Sequence, residues 1–211
     1  MFFYRKYKLT NKTITYNGVT LYRIKALKFF SDVKKGDLGG FVQSKKNLSQ
    51  KGKCWIYDNA KVLDEACVYD DAKLRNNAVA LDSSEIFDNA ELLDNAKAYG
   101  KSKVYGFSKI YNNGRILEKG SLFDNACIHD DGVVCNKAEI SGHADVHDSK
   151  SYVVFKNIYA NRTYVTWTCY DNMWRAGDFY GTIEELITLT EKYSKDAARK
   201  YREISEKINN N

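Results

Sequence analysis

Cys127 and Asp145 lie eighteen residues apart, and so do His129 and His147, so one short phrase occurs twice: Cys-Ile-His, then Asp-Val-His. Thiolate, imidazole and carboxylate are all zinc donors. For these four to meet, the fold must bring residues eighteen apart side by side. Aromatic rings keep the same interval at Tyr69, Phe87, Tyr105 and Phe123. Such a column either stacks on itself or offers a flat surface to a partner or a nucleobase. A third group is purely charged: Lys34, Lys35, Lys45, Lys46, Lys51 and Lys53, with Arg23, Lys25 and Lys28 close in sequence. That is the footprint of a surface meeting phosphate or an acidic protein.

The element that positions them is written in the repeat "YDNAKV LDEACV YDDAKL" at residues 57–74. Cut in sixes from Tyr57, the chain holds fifteen hexads in register to Val146 without a gap. The fourth residue is always Ala, Ser or Gly, and the sixth is always aliphatic. A strict period of six fits neither a helix nor a hairpin. It predicts a parallel β-helix of hexapeptide type, with three short strands per coil and coils about 4.8 Å apart. The fourth and sixth residues point inward. The second and third turn the corner, where Asp, Asn and Gly tolerate left-handed backbone conformations. Residues eighteen apart then stack.

Stacking sorts the outward residues onto three faces. One carries Leu63, Leu81, Tyr99, Leu117 and Cys135, with Val79 and Val133 beside them. So much apolar surface calls for a cover, either the C-terminal helix or a second copy of the chain, which makes a homo-oligomer possible through Leu63, Leu81, Tyr99 and Leu117. The second face carries the aromatic column. The third carries Cys127, His129, Asp145 and His147. Strands present these four on a flat wall where tetrahedral closure is hard, so solvated side chains are the default and zinc the weaker candidate; the expectation is no metal and no cofactor.

Three domains follow. Residues 1–50 form a basic N-terminal β cap, with a hairpin around Asn17-Gly18. In 39–50 the beat is looser, Val42 and Leu48 falling at the fourth position. Residues 51–152 form the solenoid. Residues 153–211 form a hairpin and helical cap: Thr182 and Glu185 are spaced as a capping box, and Tyr193, Ala197, Tyr201, Ile204 and Ile208 continue at helical spacing.

Composition narrows the class. The 211 residues contain no proline, where about ten would be average, as expected of a long hydrogen-bonded ladder. Five cysteines at irregular spacing suit reduced thiols rather than a disulfide framework. No apolar run has the length of a signal segment or a membrane span, so a cytoplasmic protein without membrane contact is expected. The net charge of +6 hides an asymmetry: residues 1–56 carry +11, residues 57–152 carry −6 and the remainder +1. A basic head sits on an acidic body.

The segment "DVKKGDLGGFVQSKKNLSQKGKCWIYDNAKV" resembles the entry of YdcK-type left-handed β-helix proteins. Its Gly-Gly-aromatic, N-L-S-Q and C-W-I-Y-D signatures come in the same order. The tail "TYVTWTCYDNMWRAGDFYGTIEELI" is similar to the end of uncharacterised hexapeptide-repeat proteins of phages and prophages. The resemblance implies a left-handed solenoid from a mobile element and brings no catalytic residues. On it rests the expected function, a non-enzymatic inhibitor of a bacterial defence system, such as an anti-CRISPR or a protein that sequesters a nucleotide signal. In a phage-encoded protein that means action in the host cytoplasm. Its partner would be a bacterial protein or ribonucleoprotein, or a nucleic acid or nucleotide, held at the basic lysines and the aromatic column. A structural module without a small ligand is the alternative. A hexapeptide-repeat acyltransferase comes third, since fifteen uninterrupted hexads supply no projecting loop for a catalytic histidine. An ice-binding surface is excluded, because residues 57–149 contain no threonine.

Overall fold

The computed structural model describes residues 5–157 and 164–210. β1 (Tyr7–Tyr16) and β2 (Val19–Ala26) form an antiparallel hairpin, and β3 (Leu38–Val42) pairs antiparallel with β2. Sixteen two-residue strands follow, β4 (Trp55–Ile56) through β19 (Asp145–Val146). They build three parallel walls of a β-solenoid of about six turns. β20 (Tyr152–Lys156), β21 (Tyr164–Thr168), β22 (Met173–Ala176) and β23 (Phe179–Gly181) form a four-stranded antiparallel sheet, and α1 (Ile183–Glu191) and α2 (Lys195–Asn209) close the chain.

Each repeat position has a physical cause. Strands fall on the fifth and sixth residues, and every sixth residue from Val62 to Val146 is buried. The fourth residue is buried as well, and it stays small because the preceding strand and the next coil lie close: a Cβ at Gly114 would come within 2.7 Å of the Ile128 carbonyl and one at Gly132 within 2.4 Å of the Val146 carbonyl. The left-handed conformation falls on the second residue alone: φ lies between +48° and +68° at all fifteen second positions, Asp58 through Gly142. Aspartate at this position also has a bonding role. Asp58 accepts from the backbone N–H of Asn76 at 3.0 Å, Asp82 from Gly100 at 2.8 Å and Asp94 from Asn112 at 3.2 Å. Each of these corners thus ties down the corner one coil later.

Two long-range arrangements depart from the sequence reading. In the first coil, Val42 pairs with Val62 and Leu48 with Val68, twenty residues on, whereas Ile56 pairs with Leu74, eighteen on. Val42 and Leu48 therefore take the sixth position of their coil, not the fourth, and two extra residues lie between Leu48 and Ile56. The buried Asn47 side chain supports this slip. It accepts from Ser44 N at 2.8 Å and donates to the Asp64 and Ala66 carbonyls at 2.9 and 3.0 Å. The second departure concerns the apolar face. Leu63 and Val79 are buried under Leu21 and Phe41, with Ile14, Tyr16 and Val19 packed alongside. The N-terminal hairpin, not the C-terminal helix, provides this cover, because β3 extends the first wall and brings β1 and β2 with it. Tyr99 and Leu117 further up stay half-buried.

At the other end, α1 and α2 pack on the four-stranded sheet through Val165, Trp174, Leu186 and Tyr201. The Thr182–Glu185 capping box is formed. The helical pattern is interrupted before Ser194, which caps α2, so Tyr193 lies 84% exposed between two helices instead of joining the packed stripe. No helix among the described residues is long and apolar enough to cross a membrane.

Candidate functional site

The third wall places Cys127 and Asp145 opposite each other on adjacent parallel strands. Both point outward, because Ile128 and Val146 beside them point into the core. His129 and His147 each follow two residues later, where the wall ends. They stack with ring centroids 5.7 Å apart, and Tyr111 stacks beneath His129 at 4.9 Å. The corner turns both rings back over the wall: His129 Nε2 lies 2.6 Å and His147 Nδ1 3.5 Å from the same oxygen, Asp145 Oδ1. Ligand atoms of Cys127, His129 and Asp145 all fall within 4.8 Å of one another. The convergence that a flat wall argues against is thus achieved at the corner.

The electrostatics are carboxylate-centred. Burial, and then the Asp145 carboxylate, push the Cys127 thiol up to about 11, so it is protonated at neutral pH. His129 also has Asp130 Oδ2 at 3.1 Å from Nδ1. The Asn112 amide donates to Asp130 Oδ1 at 2.8 Å. Asn112 first and His129 second hold Asp130 below the usual carboxylate range. A carboxylate thus stands at each imidazole nitrogen of His129, Asp130 at Nδ1 and Asp145 at Nε2.

The aromatic column is assembled as its spacing suggests. Tyr69, Phe87, Tyr105 and Phe123 stack with centroids 4.8–4.9 Å apart and interplanar angles of 3–4°. Its far end is closed by Arg175, whose guanidinium carbon lies 4.7 Å from the Phe123 centroid. The inner ring faces are filled by one another, which leaves ring edges along the outside. Nothing in the sequence pointed to Arg175, which comes from β22.

All six lysines of the basic head are exposed. Lys45 and Lys46 occupy one corner of the first coil, Lys51 and Lys53 the next, and Lys34 and Lys35 the turn before β3. Lys53 pairs with Asp71 at 3.5 Å. Among the described residues no acidic group lies within 4 Å of the other five ammonium groups. The sequence reading missed a seventh lysine of a different kind. Lys6 is fully buried, its ammonium bonded to the Lys51 and Cys54 carbonyls at 3.1 and 2.8 Å and to Cys54 Sγ at 3.1 Å. Desolvation lowers its pKa from the ordinary lysine value. It ties the start of β1 to the corner at Lys51–Cys54.

Neither a family model nor a curated protein matches this chain. The coarse identity that stands is a β-solenoid of about six turns, and the functional reading rests on its surfaces.

Proposed function

We propose that the protein is a non-enzymatic binding protein whose basic N-terminal end engages an anionic partner. One observation carries this reading: five exposed lysines on the first coil and the turn leading into it have no acidic neighbour within 4 Å among the described residues, while the later corners carry the acidic residues. A solvated surface gains nothing from gathering like charge at one end, whereas a docking surface gains attraction and a faster approach. The uninterrupted tight corners between residues 57 and 146 favour a binding role over an acyl transfer that needs a projecting loop. The resemblance supplies the finer proposal, an inhibitor carried by a phage or prophage that acts on a bacterial defence component, either its protein or its guide nucleic acid. The alternative of an assembly module draws on the aromatic column, whose inner faces are already occupied.

The test is a fourfold variant, Lys45, Lys46, Lys51 and Lys53 to Ser, compared with the native chain in capture from a bacterial host, with nucleic acid and protein identified in the eluate. If the partner is a nucleic acid, the slope of log affinity against log salt should flatten in the variant, by about 0.7–0.9 for each phosphate that is no longer neutralised. With an acidic protein surface, the association rate should fall instead. Unchanged capture and unchanged rates would overturn the reading.

A further inference from the structure

The geometry points to a divalent transition-metal site, zinc in class, on the third wall at Cys127, His129 and Asp145, with His147 as the fourth ligand. The site is independent of the basic head and of any partner bound there.

Three features carry it. First, the donors converge from adjacent strands through i, i+2 pairs, and the ligand atoms of Cys127, His129 and Asp145 lie within 4.8 Å of one another. A tetrahedral zinc with bonds near 2.0–2.3 Å holds its ligand atoms roughly 3.3–3.6 Å apart, so binding opens the 2.6 Å contact between His129 Nε2 and Asp145 Oδ1, draws the wider-spaced donors together by about an ångström, and swings in the His147 ring, whose Nδ1 already lies 3.5 Å from Asp145 Oδ1. Second, the donor set is one sulfur, two nitrogens and one oxygen. That set suits zinc and its neighbours, and disfavours magnesium and calcium, which take oxygen. Third, the outer shell is in place. Asp130 holds the Nδ1 side of His129 at 3.1 Å, and Asn112 fixes the other oxygen of Asp130 at 2.8 Å. A ligating histidine almost always donates its second ring N–H to such a carboxylate, which fixes the tautomer and aims the remaining lone pair at the metal. Here that lone pair is on Nε2, the nitrogen facing Asp145 and Cys127.

The same column lower on this wall shows what the position does without such a site. Lys109 and Glu91 stand 4.0 Å apart as an ordinary ion pair between an exposed lysine and a half-buried glutamate. Replacing such a pair with Cys-x-His over Asp-x-His removes a simple charge match and gathers three donors, with His147 beside Asp145. On binding, the thiol proton leaves to solvent and the sulfur bonds to the cation as thiolate, with no redox change.

The experiment uses the full chain after chelator treatment, titrated with zinc chloride by calorimetry and with cobalt chloride by absorption. To isolate the site, Cys67, Cys135 and Cys169 are replaced by Ser in the background. The expected result is one metal per chain, a thiolate-to-cobalt charge-transfer band in the near ultraviolet and the intense d–d bands of four-coordination. Cys127→Ser should abolish the charge-transfer band. Asp130→Asn should weaken affinity by about 10–100-fold with the cobalt spectrum retained, as a positioning residue would. In the native chain, zinc should protect Cys127 and leave Cys169 open to alkylation, read by peptide mass spectrometry. Because that last measurement needs no variant, it decides the matter even if a substitution unfolds the wall. Equal alkylation of Cys127 with and without zinc, or a cobalt spectrum unaltered by Cys127→Ser, would overturn the site.

Discussion

At the scale of single residues, the repeat places one chemical demand at each position, and the exceptions reveal the demand. The fourth position requires a small buried group, which Ala, Gly and Ser all satisfy sterically but not equally in hydrogen bonding. Ser108 donates to the Tyr105 carbonyl at 2.7 Å. Ser84 and Ser102 are equally buried, yet their hydroxyls have no partner among the described residues. A buried hydroxyl without a partner costs about 1–3 kcal/mol relative to a satisfied one. Ser84→Ala and Ser102→Ala should therefore each stabilise the fold by about 1 kcal/mol, while Ser108→Ala should destabilise it by a similar amount; urea midpoints of the three variants check the sign. The small-residue rule was legible in the sequence, but the hydrogen-bond difference between these serines was not, because it depends on where each hydroxyl points. Lys6 shows the same limit. Nothing local marks it as buried, since its partners at Lys51 and Cys54 lie more than forty residues away.

Among elements, the strands themselves are too short to be stable alone, so stability comes from what stacks on the corners. The aromatic column spans four coils and ends on Arg175, which links β22 of the C-terminal sheet to the solenoid. That guanidinium also approaches Glu139 at 3.8 Å, and the Thr166 hydroxyl accepts from Glu139 N at 3.0 Å. Arg175→Ala would bare the outer face of Phe123, which is otherwise buried. A largely desolvated cation–π pair contributes about 1–2 kcal/mol. The variant should lose that much in urea unfolding, and Arg175→Lys should recover only part of it, since an ammonium cannot lie flat on the ring. The column was legible in the eighteen-residue spacing; its cap was not, because β22 reaches it through tertiary packing. The slip between Leu48 and Ile56 was hidden for a related reason. Residues 39–50 keep a period of six within themselves, so two added residues in one corner change only which coil partner each side chain meets. The cluster of Cys127, His129, Asp145 and His147 divides similarly: its members were legible at eighteen-residue spacing, whereas the corner that turns the imidazoles back over the wall was not.

For the whole molecule, each coil touches chiefly the coils before and after it, so stability should follow nearest-neighbour matching more than length. The two caps sit on opposite ends: the N-terminal hairpin covers Leu63 and Val79, and the C-terminal sheet seats on the strand at Glu139–Ile140. Neither needs a fixed number of coils between. Deleting residues 87–104 removes one full coil and keeps every column in register, with Tyr69 stacking on Tyr105 and Leu81 on Leu117. Deleting only residues 87–92 keeps the small and aliphatic pattern of the core but rotates everything downstream by one wall. Tyr69 then meets Leu93, Leu81 meets Tyr105, and the Asn77–Asn95–Asn113 ladder is broken between Asn77 and Asn95. Each aromatic stack that is broken forfeits about 0.5–1.5 kcal/mol. The longer deletion should therefore be the more stable of the two, although it discards three times as many residues. Urea unfolding followed by far-ultraviolet circular dichroism reads this directly: a higher midpoint for the 87–92 deletion would show that core packing alone sets the stability and that the outer columns contribute little.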